Sequence, residues 1–133
     1  MISRVPYRLN RLGVIMSPDP ADPHEVEGVL NPGSARDRTG RLVLFPRLVA
    51  RGNVSRVGFA DVVVRDGTPV GVERRGVVLA PDLAWERSAT TAGVEDPRIT
   101  WLADLGRYVM TYVAYGPVGP RPALAVSTDL RTW

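Results

Sequence analysis

Two polar residues, each followed by proline, stand 65 positions apart: Asn31 in Val29-Leu30-Asn31-Pro32 and Asp96 in Val94-Glu95-Asp96-Pro97. Asparagine can only exchange hydrogen bonds, whereas aspartic acid can also carry a proton to a reacting group. One scaffold position used twice with that difference points to two chemical jobs. The echo extends beyond the pair. Arg41-Leu42-Val43-Leu44 answers Arg107-Tyr108-Val109-Met110 one residue out of step, and Phe59-Ala60 answers Leu124-Ala125 back in step. A polar residue, a proline and a β-rich stretch recurring at one period mark a repeat architecture.

The local chemistry of Asp96 follows from its neighbours. Pro97 lacks a backbone donor and restricts the residue before it to extended conformations, so Asp96 is expected to stand extended at the start of a strand. Strand alternation then sends Glu95 and Asp96 to opposite sides. One of them faces a pocket and the other makes structural hydrogen bonds. Arg98 falls on the side of Asp96 and can pair with it. Without further context, Glu95-Asp96-Pro97-Arg98 also reads as a plain turn closed by a satisfied ion pair.

Other chemistry-bearing residues are more scattered. His24-Glu25-Val26-Glu27 has the makings of a metal pair but reads more simply as a solvated strand or loop. Arg51 and Arg56 can extend an anion site or stand in solvent. Among Tyr112, Tyr115, Trp85 and Trp101, Tyr115 is best placed as a sugar-stacking platform, near the pocket-facing end of its strand; the others read as core. The chain has no Gly-rich phosphate loop, no Ser/His/Asp set and no nucleotide fingerprint.

The elements that must position these residues are strands. Runs at 12–16, 42–50, 57–65, 70–79, 99–102, 108–115 and 123–127 have strand character, and helical periodicity is scarce. Asp66-Gly67 is a hairpin turn, and Gly40 and Gly106 mark equivalent turns of the two repeats. Residues 82–93 form a loop whose turn chemistry comes from Ser88, Thr90, Thr91 and Gly93. Each repeat is thus an antiparallel sheet of three or four strands, with boundaries near 29–93 and 94–133. A period of this length suits a β-propeller blade with long loops, and propellers close with about four to eight blades. The chain is therefore expected to be the N-terminal part of one larger propeller domain. A small sandwich, complete in itself, is the alternative.

Composition bounds the rest. The 133 residues include 13 Gly and 12 Pro, which favour turns over long helices. There is no Cys and one His, so disulfides and Cys- or His-rich metal sites are excluded. All 17 basic residues are Arg and none is Lys. They are spread from Arg4 to Arg131, without the clustering of a nucleic-acid face. No stretch approaches a membrane span and no secretory leader stands out, so a cytoplasmic location is expected.

The motifs in order resemble a known family. Asn31-Pro32-Gly33, Leu44-Phe45-Pro46-Arg47, Gly93-Val94-Glu95-Asp96-Pro97-Arg98-Ile99-Thr100, Tyr112-Val113-Ala114-Tyr115, Gly119-Pro120 and Leu124-Ala125-Val126-Ser127-Thr128-Asp129 through Trp133 are similar to glycoside hydrolase family 130. The likeness covers residues 24–133. It implies an all-β, five-bladed β-propeller, of which this chain supplies about the first two blades. It implies a β-mannoside phosphorylase, or an inverting β-mannosidase, acting on β-mannoside oligosaccharides. Asp96 matches the family's catalytic acid. Asn31 matches a residue that binds the mannosyl unit. Arg47 matches an arginine contacting inorganic phosphate, which serves as co-substrate with no further cofactor and no metal. Glu95 and Tyr115 complete the expected substrate-binding set. Phosphorolysis with inversion, giving mannose 1-phosphate, is the preferred reaction. A non-catalytic sugar-binding propeller is the different-class alternative, and a homo-oligomer is compatible with either. The chain departs from the pattern at Pro32, where many of the phosphorylases carry Ser, and Glu95 occupies a position that varies. Arabinoside- or fructoside-cleaving relatives typically place an acid where this chain has Asn31, which argues against them.

Overall fold

Alternating apolar residues and tight turns build seven strands in the computed structural model, which describes residues 8–88 and 92–133. They are β1 (Gly28–Arg36), β2 (Leu42–Ala50), β3 (Val54–Arg65), β4 (Thr68–Leu79), β5 (Gly93–Leu102), β6 (Arg107–Gly116) and β7 (Gly119–Ser127). A short 3-10 turn, Ala103–Leu105, separates β5 from β6. The protein is all-β, as its sequence implied. Thr90, Thr91 and the start of the chain through Tyr7 lie outside the described residues.

Strands β1 to β4 form one antiparallel meander and β5 to β7 a second. One parallel bridge, Ser55 to Gly93, joins them into a continuous sheet. The β3–β4 hairpin turns on Asp66 and Gly67, both with positive φ (49° and 75°), the conformation of a type I′ turn. Alternation buries Val43 and Phe45 of β2 and Val57 and Phe59 of β3 on one face. Tyr108, Met110, Tyr112 and Ala114 of β6 are buried in the same way, and the two sets form one core with Val94 and Leu130. Phe45 sits at its centre, edge-on to Phe59 at 5.2 Å and to Trp133 at 5.9 Å.

Several expectations change. Residues 12–16 form no strand. β1 takes up residues 28–36, where the sequence had marked no strand. The reason is that Asn-Pro interrupts the ladder only locally, as a bulge: pairing with β2 breaks between Leu30 and Gly33 and resumes. The same break occurs in β5 between Glu95 and Arg98. Glu25 is buried rather than solvated, paired with Arg74 at 2.7 Å across the lead-in segment.

Candidate functional site

The two bulges carry Asn31 and Asp96, and both residues adopt left-handed backbone conformations (φ 44° and 51°). Asp96 is therefore not extended, and it lies inside β5 rather than at its start. Asn and Asp are the residues that tolerate this region best after Gly. Their equivalent strain in the two repeats aims the side chains at each other. Asn31 Nδ2 donates to Asp96 Oδ1 at 3.0 Å. The strands can approach this closely because Gly33 has no side chain. A Cβ there would meet the Pro97 carbonyl at 2.7 Å and Ile99 Cδ1 at 2.6 Å.

Arg47 projects from β2, where its backbone pairs with Leu30, the residue before Asn31. Its guanidinium holds three side chains. Nη1 donates to Asp96 Oδ1 at 3.3 Å, Nη2 to Glu95 Oε1 at 2.8 Å, and Nε to Ser55 Oγ at 2.9 Å. The Ser55 hydroxyl donates in turn to Glu95 Oε1 at 3.1 Å. Glu95 and Asp96 thus converge on one cation instead of pointing apart, because the bulge cancels the alternation between them. Burial is graded: Ser55 is fully buried, Arg47 and Glu95 are 14% and 13% exposed, and Asp96 is 35% exposed. Gly93 leaves room for this arrangement, since a Cβ there would lie 2.9 Å from Glu95 Oε1. Arg98 does not pair with Asp96; its Nη1 donates to the Pro97 carbonyl at 2.8 Å.

Asp96 opens onto a cleft of about 340 Å³ lined also by Thr111, Tyr112, Val113, Pro120, Arg121 and Pro122. With Oδ1 taken by Asn31 and Arg47, Oδ2 accepts no hydrogen bond among the described residues. Tyr115 shares a face of β6 with Thr111 and Val113 but does not line this cleft. Tyr112 reaches the other way. Its hydroxyl donates to the buried Glu86 at 2.7 Å, and burial, then that bond, push the phenol well above its usual range. The structure brings Asn31, Arg47, Glu95 and Asp96 together and leaves Tyr115 outside the cluster.

Two participants carried no sequence signal. Ser55 is an ordinary strand serine until register, pairing it with Val49 and Arg47 with Val57, sets it diagonally across from Arg47. Arg121 is one scattered arginine among many, distinguished only by the flanking prolines. Arg51 and Arg56 line a separate cleft of about 270 Å³. Arg56 Nη1 is buried there without a hydrogen-bond partner among the described residues. Among the described residues no group of His, Cys, Asp and Glu is arranged to hold a metal ion, and no helix is long and apolar enough to cross a membrane.

No family model and no curated protein matches the chain. Solved structures do. A Parabacteroides distasonis protein, provisionally described as a glycoside hydrolase, superposes with a TM-score of 0.73 at 27% identity, over 96% of this chain and 40% of its own. A glycosyl hydrolase from Bacteroides ovatus gives 0.72 at 27%, over 95% and 39%. A third is described within the GH130 family of mannoside phosphorylases, as containing glycoside hydrolases that target β-1,2-mannosidic linkages in Candida mannan. It gives 0.72 at 28%, over 95% and 39%. The chain spans about 40% of the length of the structures it matches. The resemblance to glycoside hydrolase family 130 is thus one of fold as well as of motifs.

Proposed function

We propose that this chain is the N-terminal part of a five-bladed β-propeller that cleaves β-mannosides, with Asp96 as the general acid. Strands β1–β4 form the first blade and β5–β7 begin the second. The observation that carries the reading is the meeting of Asn31 and Asp96 at 3.0 Å, from equivalent left-handed bulges of the two repeats. It stands in a fold shared with structures of mannoside-directed proteins.

The geometry supports a division of labour. Asn31 and Arg47 hold Asp96 Oδ1 as an acceptor, which leaves Oδ2 to carry the proton towards the cleft. From there it protonates the leaving glycosidic oxygen, directly or through a sugar hydroxyl. Asn31 retains its carbonyl oxygen and one N–H for the mannosyl unit. Arg47 uses three of its five N–H donors on protein, and two remain for a phosphate oxygen. Arg121 adds a cation on the cleft wall. Tyr115 serves a sugar beyond the cleft. Glu95 shares the guanidinium of Asp96, so it stands beside the acid and not across the sugar from it. An inverting hydrolase needs its base on the far side, with the carboxyl groups about 6.5–9.5 Å apart. Glu95 is not placed for that role. A phosphorylase substitutes phosphate for base and water, and phosphorolysis with inversion to mannose 1-phosphate is the reaction these residues favour. Inverting hydrolysis, with a base elsewhere in the protein, is the second reading. Pro32, in place of the serine many phosphorylases carry, is what favours it.

The test is mannoside turnover by the complete protein, with and without inorganic phosphate, alongside the Asp96→Asn variant. Phosphate-dependent release of mannose 1-phosphate, abolished in Asp96→Asn, is the expected result. Turnover indifferent to phosphate moves the protein to the hydrolase reading. Full activity of Asp96→Asn overturns the assignment of the acid and favours a sugar-binding propeller.

A further inference from the structure

Ser55 closes a ring that the catalytic reading does not by itself require. Its Oγ accepts from Arg47 Nε and donates to Glu95 Oε1, while Arg47 Nη2 donates to the same Oε1. The preferred pairing of arginine with a carboxylate is two parallel bonds, Nε and Nη2 each to its own oxygen. Glu95 does not make that pair. The serine hydroxyl occupies the place beside Nε where the second carboxylate oxygen would sit. Glu95 is therefore limited to one oxygen, and the guanidinium stays turned so that Nη1 reaches Asp96 at 3.3 Å. Ser55 is itself fixed. It is fully buried, its N–H donates to the Ala92 carbonyl at 3.0 Å, and it forms the bridge that joins β3 to β5.

We propose that Ser55 is a positioning residue: by holding Nε it blocks a bidentate Arg47–Glu95 pair and so fixes the orientation of the guanidinium at which Nη1 reaches Asp96. This rests on the reading of Asp96 as the acid, but its structural core does not. The charged groups facing Asp96 from the packed elements are Arg47 on β2, Glu95 on β5 and Arg121 on β7; Tyr112 of β6 lines the cleft but turns its hydroxyl away to Glu86. Arg47 is the only one of these hydrogen-bonded to Asp96 among the described residues. Without Ser55 the more buried Glu95 takes both Nε and Nη2, and the guanidinium turns to meet it. Nη1, which that pair does not use, is carried away from Asp96, which then keeps only the contact with Asn31.

Ser55→Ala deletes one oxygen and leaves the backbone bridge, so the fold is retained. A crystal structure of the Ser55→Ala chain is expected to show Glu95 bidentate on Nε and Nη2 and Arg47 Nη1 withdrawn beyond bonding distance of Asp96. An unchanged one-oxygen contact with Glu95 and an intact Arg47–Asp96 bond overturn the proposal. In the complete protein, Ser55→Ala is expected to lower kcat about tenfold on natural β-mannosides, a part of the roughly 10²–10⁴-fold that a positioned acid contributes. It should have little effect on an aryl mannoside whose leaving group needs no proton. In a Glu95→Gln background, where no bidentate carboxylate pair can form, the same serine substitution should change nothing further. A uniform loss on both substrates, or an undiminished effect in the Glu95→Gln background, rejects the positioning role. If Asp96→Asn remains fully active while the crystal structure shows the rearrangement, the wiring stands and the catalytic reading falls.

Discussion

Arg47 carries most of the electrostatic organisation of the site, since two acids that read as opposed in the sequence both lean on it. Removing it leaves Glu95, 13% exposed, without its counter-charge. Stripping one partner from a buried pair costs 3–5 kcal/mol, and partial exposure reduces this to about 2–3 kcal/mol. Arg47→Ala should therefore lower the melting temperature. If the free arm binds phosphate, it should also raise the KM for phosphate by about 10- to 100-fold, the equivalent of one lost charge-assisted contact. Arg47→Lys separates the two effects. A lysine restores the charge near Glu95 but cannot serve three acceptors at once. Stability should largely return while activity does not; full recovery of both would deny the fork any role. The equivalence of Asn31 and Asp96 was legible in the sequence, from their spacing and shared proline, but their contact was not, because it depends on the two bulges. Nor was the shared grip on Arg47. Counting along a regular strand assigns Glu95 and Asp96 to opposite faces, and nothing in Glu-Asp-Pro-Arg declares a bulge. The left-handed Asp96 was likewise hidden, because the usual restriction before proline argues for an extended backbone.

At the scale of the strand, the bulge is what brings the candidate site residues together, and its counterpart across the repeat keeps it in place. Gly33→Ala tests this. The new Cβ would meet Ile99 Cδ1, a flexible methyl that can move, and the Pro97 carbonyl, which cannot move without shifting β5. The expected cost is about 1–3 kcal/mol, with the Asn31–Asp96 bond lengthened. A variant as stable as the parent with that bond unchanged would show that the strands do not depend on their close approach. The turn after β7 makes a second, pH-dependent test. Asp129 accepts the backbone N–H groups of Thr132 and Arg131, and these bonds hold its carboxyl at about 2. A depressed folded-state value stabilises the fold at pH above the ordinary aspartate range, and that contribution is lost as pH falls towards 2. The stability difference between the parent chain and Asp129→Asn should thus be present at pH 5 and shrink towards pH 2. A difference that is constant with pH would mean the carboxylate charge is irrelevant to the turn. The strands themselves were mostly readable. β2 occupies residues 42–50, the span its apolar pattern marks, because both of its faces are covered and its ends fall at turns. The run at 12–16 misled because a short apolar alternation needs a strand to pair with, and it pairs with none among the described residues.

At the scale of the whole molecule, the second meander is covered on one face only. Ala123 and Ala125 of β7 pack against the core, while Leu124 and Val126, pointing the other way, are 68% and 49% exposed. They continue a row across β6, where Thr111 pairs with Leu124 and Val109 with Val126. A repeat buries its second face only against a following repeat, so this is where a third blade belongs if the chain is part of a propeller. The first meander differs, because the lead-in segment lies over it and ties itself down through Glu25 and Arg74. The substitution pair Leu124→Lys and Val126→Lys discriminates. In the 133-residue chain it should leave the melting temperature nearly unchanged, because both side chains are largely exposed. It should also reduce self-association in sedimentation, because charges interrupt an exposed apolar sheet face. In the complete protein the same pair should do the opposite, lowering the melting temperature and mannoside turnover together, because two charges would be buried against the next blade. A complete protein indifferent to both lysines would leave this face in solvent, and the propeller reading would lose the interface it most needs.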